Sequence, residues 1–340
     1  MGSRKLLIIT TALTFLLSTL SPANANNPPR KILSGWLPDY SLARNLPTVE
    51  GNLDLIRDIS PFWYGLTGEN SIKDKYALGK YTTPKEQVIA RLKANGILLL
   101  PTITDDNNKL VLANLLANPT SRSNIVQTIK ALVLKYNYDG IDLDFETFYT
   151  QDGRSSWAAL KPNWIAFIKE LSTALHDQGK LLSVTTPPDF APETKRAGNW
   201  IYSWAEIGPL IDRLRIMAYD FSTTSPGPIG PLPWTEDGVK YAITQMPASK
   251  VFLGIPGYGR DWITKVEGVC PKDFTSSVVV GAKAAVVMRE APNLAASNNA
   301  LPTYNTTNAE STFTYKKTYV DPTNSASFCT ASRTVWYPDE

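Results

Sequence analysis

Through most of the chain, short apolar runs alternate with longer stretches in which apolar residues recur at helical spacing. Runs at Lys31–Trp36, Ile59–Leu66, Ile97–Thr104, Tyr138–Glu146, Leu181–Thr186, Arg213–Asp220 and Val251–Gly257 read as strands. Between them, Pro84–Ala94, Lys109–Lys135 with a break near Pro119, Trp157–Asp177, Trp200–Leu210 and Glu236–Gln245 carry the pattern of amphipathic helices. Repeated strand–helix units predict a parallel sheet with both faces covered. Seven of them, each strand ending in polar or aromatic residues, predict a (β/α)8 TIM barrel. An open doubly wound sheet is the alternative, but no Gly-rich first turn supports nucleotide binding.

After Val251–Gly257 the pattern changes, and residues 262–337 read differently. A Cys-containing loop, a helix near Ala282–Glu290, an Asn-rich stretch at Asn293–Asn308 and alternating runs at Thr312–Tyr319 and Ser332–Tyr337 predict a small α+β insertion after the seventh strand. No clear eighth strand or closing helix follows. Either Thr334–Tyr337 forms a short last strand, or the barrel is incomplete, with strand eight and the last helix missing and two edges left unpaired. The expected organisation is a leader at 1–25, barrel strands one to seven at 26–261, and the insertion with a shortened C-terminus at 262–340.

The run Tyr138–Thr147 carries the chemistry. Asp142, Asp144 and Glu146 alternate with Ile141, Leu143 and Phe145. In a strand this places the acids on one face and the apolar residues on the other, with neighbouring acids roughly 6.5–7 Å apart. Like charges so close in a buried setting cannot all stay ionised, so at least one acid is expected to hold its proton to higher pH, as a general acid requires. A calcium site is disfavoured by the bulky residues between the acids, and a solvated acidic face by their apolar backing.

Composition adds the setting. Arg4 and Lys5, the apolar Leu6–Leu20 and Ala23-Asn24-Ala25 form a secretory signal with cleavage after Ala25, rather than a membrane anchor. No other run is apolar enough to span a bilayer. Cleavage lowers the formal charge from +3 to +1, which gives no reason to expect nucleic acid or a membrane surface as partner. The two cysteines, Cys270 and Cys329, most simply form one disulfide in an exported protein. With one histidine beside them, zinc is not expected, and no cofactor is called for. That histidine, His176, lies in a helical pattern and reads as a surface residue. The sequon Asn305-Thr306-Thr307 matters only in a glycosylating host.

Asp139-Gly140-Ile141-Asp142-Leu143-Asp144-Phe145-Glu146 resembles the D-G-x-D-x-D-x-E signature of glycoside hydrolase family 18, which contains chitinases, endo-β-N-acetylglucosaminidases and chitinase-like lectins. Met217-Ala218-Tyr219-Asp220 resembles that family's M-x-Y-D, and Gly254–Trp262 and Ser60–Tyr64 are similar to its bacterial spore-cortex and cell-wall branch. In that branch a segment like Val335–Asp339 closes the insertion, and the eighth strand that follows supplies a tryptophan flooring the −1 sugar subsite. The resemblance therefore implies a barrel lacking that strand; the alternative makes Trp336 the floor.

The resemblance also implies a mechanism, in which the substrate's own N-acetyl oxygen is the nucleophile. Glu146 would protonate the glycosidic oxygen and later activate water. Asp144 would hold the acetamido N–H and stabilise the oxazolinium ion, with Asp142 sharing its proton. Tyr219 would donate to the acetyl carbonyl, Asp220 and Met217 would help hold the sugar, and Asp139 would cap the turn before the strand. Aromatic rings stack on sugar faces, so Trp63, Trp234, Tyr258 and Trp262 are candidate subsite residues, whereas Trp157 and Trp164 read as helix packing. The Pro-rich loop Ser225–Pro231 is a candidate cleft wall.

The implied protein is a secreted or cell-wall hydrolase of N-acetylglucosamine-containing polysaccharide, chitin or peptidoglycan. The alternative is an idle, chitinase-like glycan-binding protein, although such lectins usually lose the glutamate that Glu146 retains. The chain is expected to be a monomer; an open barrel would instead favour association through its edges.

Overall fold

The computed structural model describes residues 33–339, so the expected leader at residues 1–25 lies outside the described residues. Strands β1 (Leu33–Leu37), β2 (Ile56–Pro61), β3 (Tyr64–Gly68), β4 (Ser71–Asp74), β5 (Leu98–Leu99), β6 (Thr102–Asp105), β7 (Gly140–Asp144), β8 (Leu181–Thr186), β9 (Arg213–Met217) and β10 (Val251–Gly254) build the main body. Helices α1 (Leu42–Glu50), α2 (Lys85–Ala94), α3 (Val111–Ala117), α4 (Pro119–Lys135), α5 (Trp157–His176), α6 (Trp204–Ile207) and α7 (Leu232–Gln245) connect them.

β1, β2 and β5 pair in parallel, and β3, β6, β7, β8, β9 and β10 continue the parallel wall, with β4 as an antiparallel hairpin on β3. The second and third strands of the wall are each split in two. The splits fall at Pro61 and Pro101, whose nitrogens cannot donate to a ladder. The bonds Phe62 N–H to Leu37 O (2.9 Å), Leu100 N–H to Ile59 O (3.1 Å) and Asp142 N–H to Pro101 O (3.0 Å) bridge the breaks. The wall thus follows chain order, as the strand–helix repeat predicted.

The wall's two faces differ in chemistry. Ile141, Leu143, Leu182, Val184, Leu214 and Ile216 are buried in the shell of helices, with Val133, Phe167 and Leu171 in the same core. The opposite, inward positions are polar: Asp58, Ser60, Thr102, Asp142, Ser183, Thr185, Arg213 and Arg215 are all buried. Barrel interiors are usually filled by branched apolar side chains. Here the interior is an ionic and hydrogen-bonded lattice, which must be fully paired to be tolerated.

β1 and β10 are each paired on one side only, and among the described residues no strand lies between them. A cleft of about 620 Å³, lined in part by Leu33, Trp36, Phe252 and Leu253, separates them. The expected helix at Trp200–Leu210 is confined to two short turns, Trp200–Tyr202 and Trp204–Ile207, because Ser203 adopts a left-handed backbone (φ 53°) between them. Helix α1 carries no corresponding sequence expectation.

The remaining strands, β11 (Tyr258–Gly268), β12 (Lys283–Val287), β13 (Thr303–Asn305), β14 (Glu310–Val320) and β15 (Phe328–Pro338), form an antiparallel sheet in the order β12-β11-β15-β14-β13, beside helix α8 (Ala291–Ser297). β11 runs across the expected boundary at 261/262. The helix predicted near Ala282–Glu290 is instead strand β12 and a single 3-10 turn, because residues 283–287 pair with β11. That ladder overrides a helical pattern in a short apolar run.

Thr334–Tyr337 does not close the barrel either. It lies within β15, held between β11 and β14, and Trp336 is paired with Arg260 in the small sheet. Along β15, Cys329, Ala331, Val335 and Tyr337 point into the sheet's own packing, and Cys329 is bonded to Cys270 as expected.

Candidate active site

The acidic row lies where its alternation predicted. β7 is fully buried on both faces, between β6 and β8. Asp142 is completely enclosed and accepts hydrogen bonds from Trp36 Nε1 (3.1 Å), Thr102 (3.0 Å), Ser183 (2.6 Å) and Thr185 (3.0 Å). Its Oδ2 also faces the Arg215 guanidinium at 3.5 Å. Both oxygens are therefore engaged by groups other than Asp144.

Asp144, one pleat further along, is buried, and its Oδ1 has no hydrogen-bond partner among the described residues. Burial holds its carboxyl well above the usual carboxylate range; the Glu146 and Asp142 charges add to this, and Lys75 opposes it. Glu146 lies just beyond the strand and accepts a hydrogen bond from the Tyr149 hydroxyl. Burial raises its carboxyl too, with the Tyr149 bond pulling downward and the Asp220 charge pushing upward. Asp139 stands outside this cluster. Its carboxylate accepts from Leu99 N–H (2.8 Å) and Lys93 (3.3 Å), a structural role at the start of the strand.

Asp144, Glu146, Tyr149, Met217, Tyr219 and Asp220 border one cleft of about 590 Å³ at the C-terminal ends of the strands. Tyr219 meets Trp36 edge-on (6.4 Å) and Tyr258 edge-on (6.2 Å). Burial, then the Asp144 charge, raises its phenol, so it stays a donor. Asp220 adopts a left-handed backbone (φ 62°), which aspartate tolerates, and accepts from Tyr258 and from Arg260 (2.5 Å). Tyr258 therefore stands behind Tyr219 and Asp220, tying the rim of the cleft to the small sheet.

Of the tryptophans expected at subsites, Trp234 borders the cleft, beside Phe221. Trp63 does not. It is fully buried and packs edge-on against Tyr76 (5.3 Å), while its neighbour Phe62 faces the cleft. Successive residues leave a strand in opposite directions, and the break at Pro61 sends Phe62 inward and Trp63 outward. Trp262 is likewise fully buried, in the ladder between β12 and β15, and cannot meet a ligand. Trp157 and Trp164 are buried packing residues of α5, as expected. His176 ends α5 at the surface, 2.9 Å from Asp212.

The Pro-rich loop does not wall the cleft. The Ile229 and Gly230 N–H groups donate to Glu310 (2.8 and 2.6 Å), so the loop is fastened to the small sheet. Among the cleft residues that carry no sequence expectation are the aromatics Trp36, Phe62 and Tyr149. Trp36 had a signal in its place at the end of the first apolar run. Tyr149 had one in its spacing, three residues after Glu146, the reach of one helical turn.

The pattern of glycosyl hydrolases family 18 matches residues 61–340. A Bacillus subtilis protein named as a sporulation-specific glycosylase is 30% identical over 159 residues, covering 45% of this chain and 34% of that protein. The cortical fragment-lytic enzyme of Bacillus subtilis is 27% identical over 154 residues, covering 44% of this chain and 33% of that protein. The chain thus spans about a third of the length of these two relatives. Among solved structures, the C-terminal domain of a Desulfitobacterium hafniense protein named as a chitinase superposes with a TM-score of 0.69 at 25% identity, over 91% of this chain and 87% of that one. With its acidic row, its Met-x-Tyr-Asp segment and a match over most of its length, the chain belongs to family 18 of the glycosyl hydrolases.

Proposed function

We propose that the chain is an exported glycoside hydrolase that cleaves β-1,4-linked N-acetylglucosamine polymers with retention, using the substrate's acetamido group as nucleophile. The observation that carries this reading is the convergence of Asp144, Glu146 and Tyr219 on one cleft, with both acids holding protons more tightly than usual. In the first step the acetamido oxygen attacks the anomeric carbon while the Glu146 proton passes to the departing glycosidic oxygen. Asp144, whose Oδ1 has no hydrogen-bond partner among the described residues, takes the acetamido N–H and stabilises the positive charge of the oxazolinium ring. The Tyr219 hydroxyl orients the acetyl group. In the second step Glu146 removes a proton from water, which opens the ring at the anomeric carbon and restores the starting configuration.

Between chitin and peptidoglycan, the relative named as a cortical fragment-lytic enzyme favours the cell-wall polymer. Residues 1–25 would direct export, residues 26–261 would form the catalytic body, and the segment from 262 would be an insertion that fastens the Pro-rich loop through Glu310. Turnover of peptidoglycan and of chitin oligosaccharides by the purified chain tests the reading. Binding of both without turnover would favour a glycan-binding protein instead, a reading supported by the opening beside Trp36.

The open edges of the wall bear on the same proposal. With the edges of β1 and β10 unpaired and Leu33 and Leu253 exposed along them, residues 26–340 are expected to self-associate at micromolar concentration. Sedimentation velocity checks this; a monomer of ordinary thermal stability contradicts it.

Tyr149 gives a finer test. Its hydrogen bond pulls the Glu146 carboxyl downward, so Tyr149→Phe is expected to move the alkaline limb of kcat/KM to higher pH, with kcat several-fold lower. An unmoved limb would remove Tyr149 from the account.

A further inference from the structure

A lysine at the rim of the cleft has no part in the proposed reaction. β11 and β12 pair with Tyr258 opposite Val287, Arg260 opposite Ala285 and Trp262 opposite Lys283. Residues directly opposite in a ladder share a face, so Tyr258, Arg260 and Lys283 lie on one face of the small sheet. Tyr258 and Arg260 both donate to Asp220, which borders the cleft, so this is the face turned toward it. The chain leaving β9 runs along the same face. Three residues after Asp220, the Thr223 carbonyl accepts a hydrogen bond from the Lys283 ammonium, and Thr223 itself borders the cleft. Lys283 thus stands about 7 Å along the sheet from the row of Arg260, exposed beside the cleft wall.

Its charge sets it apart. Arg260 is paired with Asp220 at 2.5 Å, and Lys75, which reaches Thr104 opposite Asp144, is paired with Asp106 at 2.8 Å. Arg154, bonded to the Gly198 carbonyl on another wall of the cleft, acts on the buried Asp189 carboxyl. Lys283 contacts the neutral Thr223 carbonyl and, among the described residues, no carboxylate within ion-pair distance. An ammonium has three N–H donors, so two remain for a ligand. The cleft beside it is lined by the acids Asp144, Glu146 and Asp220, and an anionic chain entering it meets a repulsion that a cation at the rim offsets.

A chain built only of N-acetylglucosamine offers such a cation no charge. Peptidoglycan does, because alternate sugars carry a lactyl ether whose carboxyl is either free or extended by a peptide bearing carboxylates. We infer that Lys283 is a specificity-determining residue: it binds a carboxylate on a sugar next to the one over Asp144, and so selects the anionic cell-wall polymer over neutral chitin. The Thr223 carbonyl holds the ammonium at the wall through one donor and leaves the other two facing the polymer. The inference deepens the proposed function and rests on it for the placement of the sugar chain in the cleft.

The experiment reads binding rather than turnover, by calorimetry in a Glu146→Gln background that leaves the ligands uncleaved. The ligands are a neutral N-acetylglucosamine oligosaccharide, a peptidoglycan oligosaccharide of the same length without peptide, the same with its stem peptides, and the peptide-free one with its lactyl carboxyl reduced to an alcohol. Lys283→Gln can still donate to the Thr223 carbonyl but carries no charge. It should lower the ratio of anionic to neutral affinity roughly three- to tenfold at low salt, the range of an exposed charge-assisted contact. The loss should shrink as salt is raised. Lys283→Arg should keep most of the ratio, and carboxyl reduction should erase the effect of Lys283→Gln.

A loss seen on the peptide-free chain places the lactyl carboxylate at Lys283, and one confined to the stem-bearing chain places a peptide carboxylate there. A ratio unchanged in Lys283→Gln, even if both affinities fall together, overturns the inference and leaves Lys283 a fastening for the loop after β9. Turnover of the parent chain on the same ligands is scored separately. Discrimination without turnover keeps the role of Lys283 and removes the proposed hydrolysis; turnover with an unchanged ratio does the reverse. Failure to bind any of the ligands removes both.

Discussion

Replacing Glu146 by glutamine is expected to lower kcat about 10²–10⁴-fold, the range a positioned general acid–base contributes. Glutamine keeps the side chain's size and can still accept from Tyr149, so the cleft should remain formed and substrate should still bind. It cannot give up a proton to the glycosidic oxygen or take one from water, so both steps suffer. Substrates with an activated leaving group, which need less protonation to depart, should recover part of the first step. Initial rates on a natural oligosaccharide and on an aryl glycoside, together with KM, check the expectation. Turnover unaffected by the substitution would sink the assigned mechanism.

Asp144→Asn is expected to act in opposite directions on activity and stability. The amide cannot stabilise the oxazolinium charge as a carboxylate does, and kcat should fall on the order of 10²–10³-fold, as when one preorganised electrostatic partner is removed. Stability should rise. The folded-state proton affinity of Asp144 is raised above its unfolded value by burial and by neighbouring negative charge. Its contribution is therefore fully present below the unfolded carboxylate range and is lost as pH rises through the folded value. Glu146 carries a shift of the same sign. The wild-type chain should lose stability between mildly acidic and alkaline pH, and Asp144→Asn should lose less. Thermal unfolding at two pH values checks this, and a variant less stable than wild type at alkaline pH would contradict it.

The central strand and its acids were legible because alternation is strict there and both flanking strands are buried. Strand order was legible for a related reason: parallel strands under helices are apolar runs, and the connections between them follow the chain. The cleft's aromatic lining was less so. Which of Phe62 and Trp63 faces the sugar depends on where Pro61 breaks the strand, and a one-residue slip exchanges the two faces. Trp262 sits beside the similar Gly254–Trp262 segment, yet ladder pairing on both sides buries it.

Arg213 and Arg215 were hidden for another reason. Their strand reads as apolar by its outward residues, and only the folded wall shows that the inward charges meet Asp58 and Asp142 across the interior. The run at Ala282–Glu290 has apolar residues too few to separate helix from strand, and the partner β11 decided it.

In the proposed reaction the substrate's own acetamido group is the nucleophile, held by Asp144 and Tyr219. Rates of cleavage of a β-1,4-linked N-acetylglucosamine oligosaccharide, beside one de-N-acetylated at the sugar bound in the cleft, decide whether this is so. The acetylated oligosaccharide is expected to be cleaved, with the β-anomer formed first, and the amine to show no measurable cleavage at that linkage. Comparable cleavage of both would contradict it, and would require a protein carboxylate to be the nucleophile in its place.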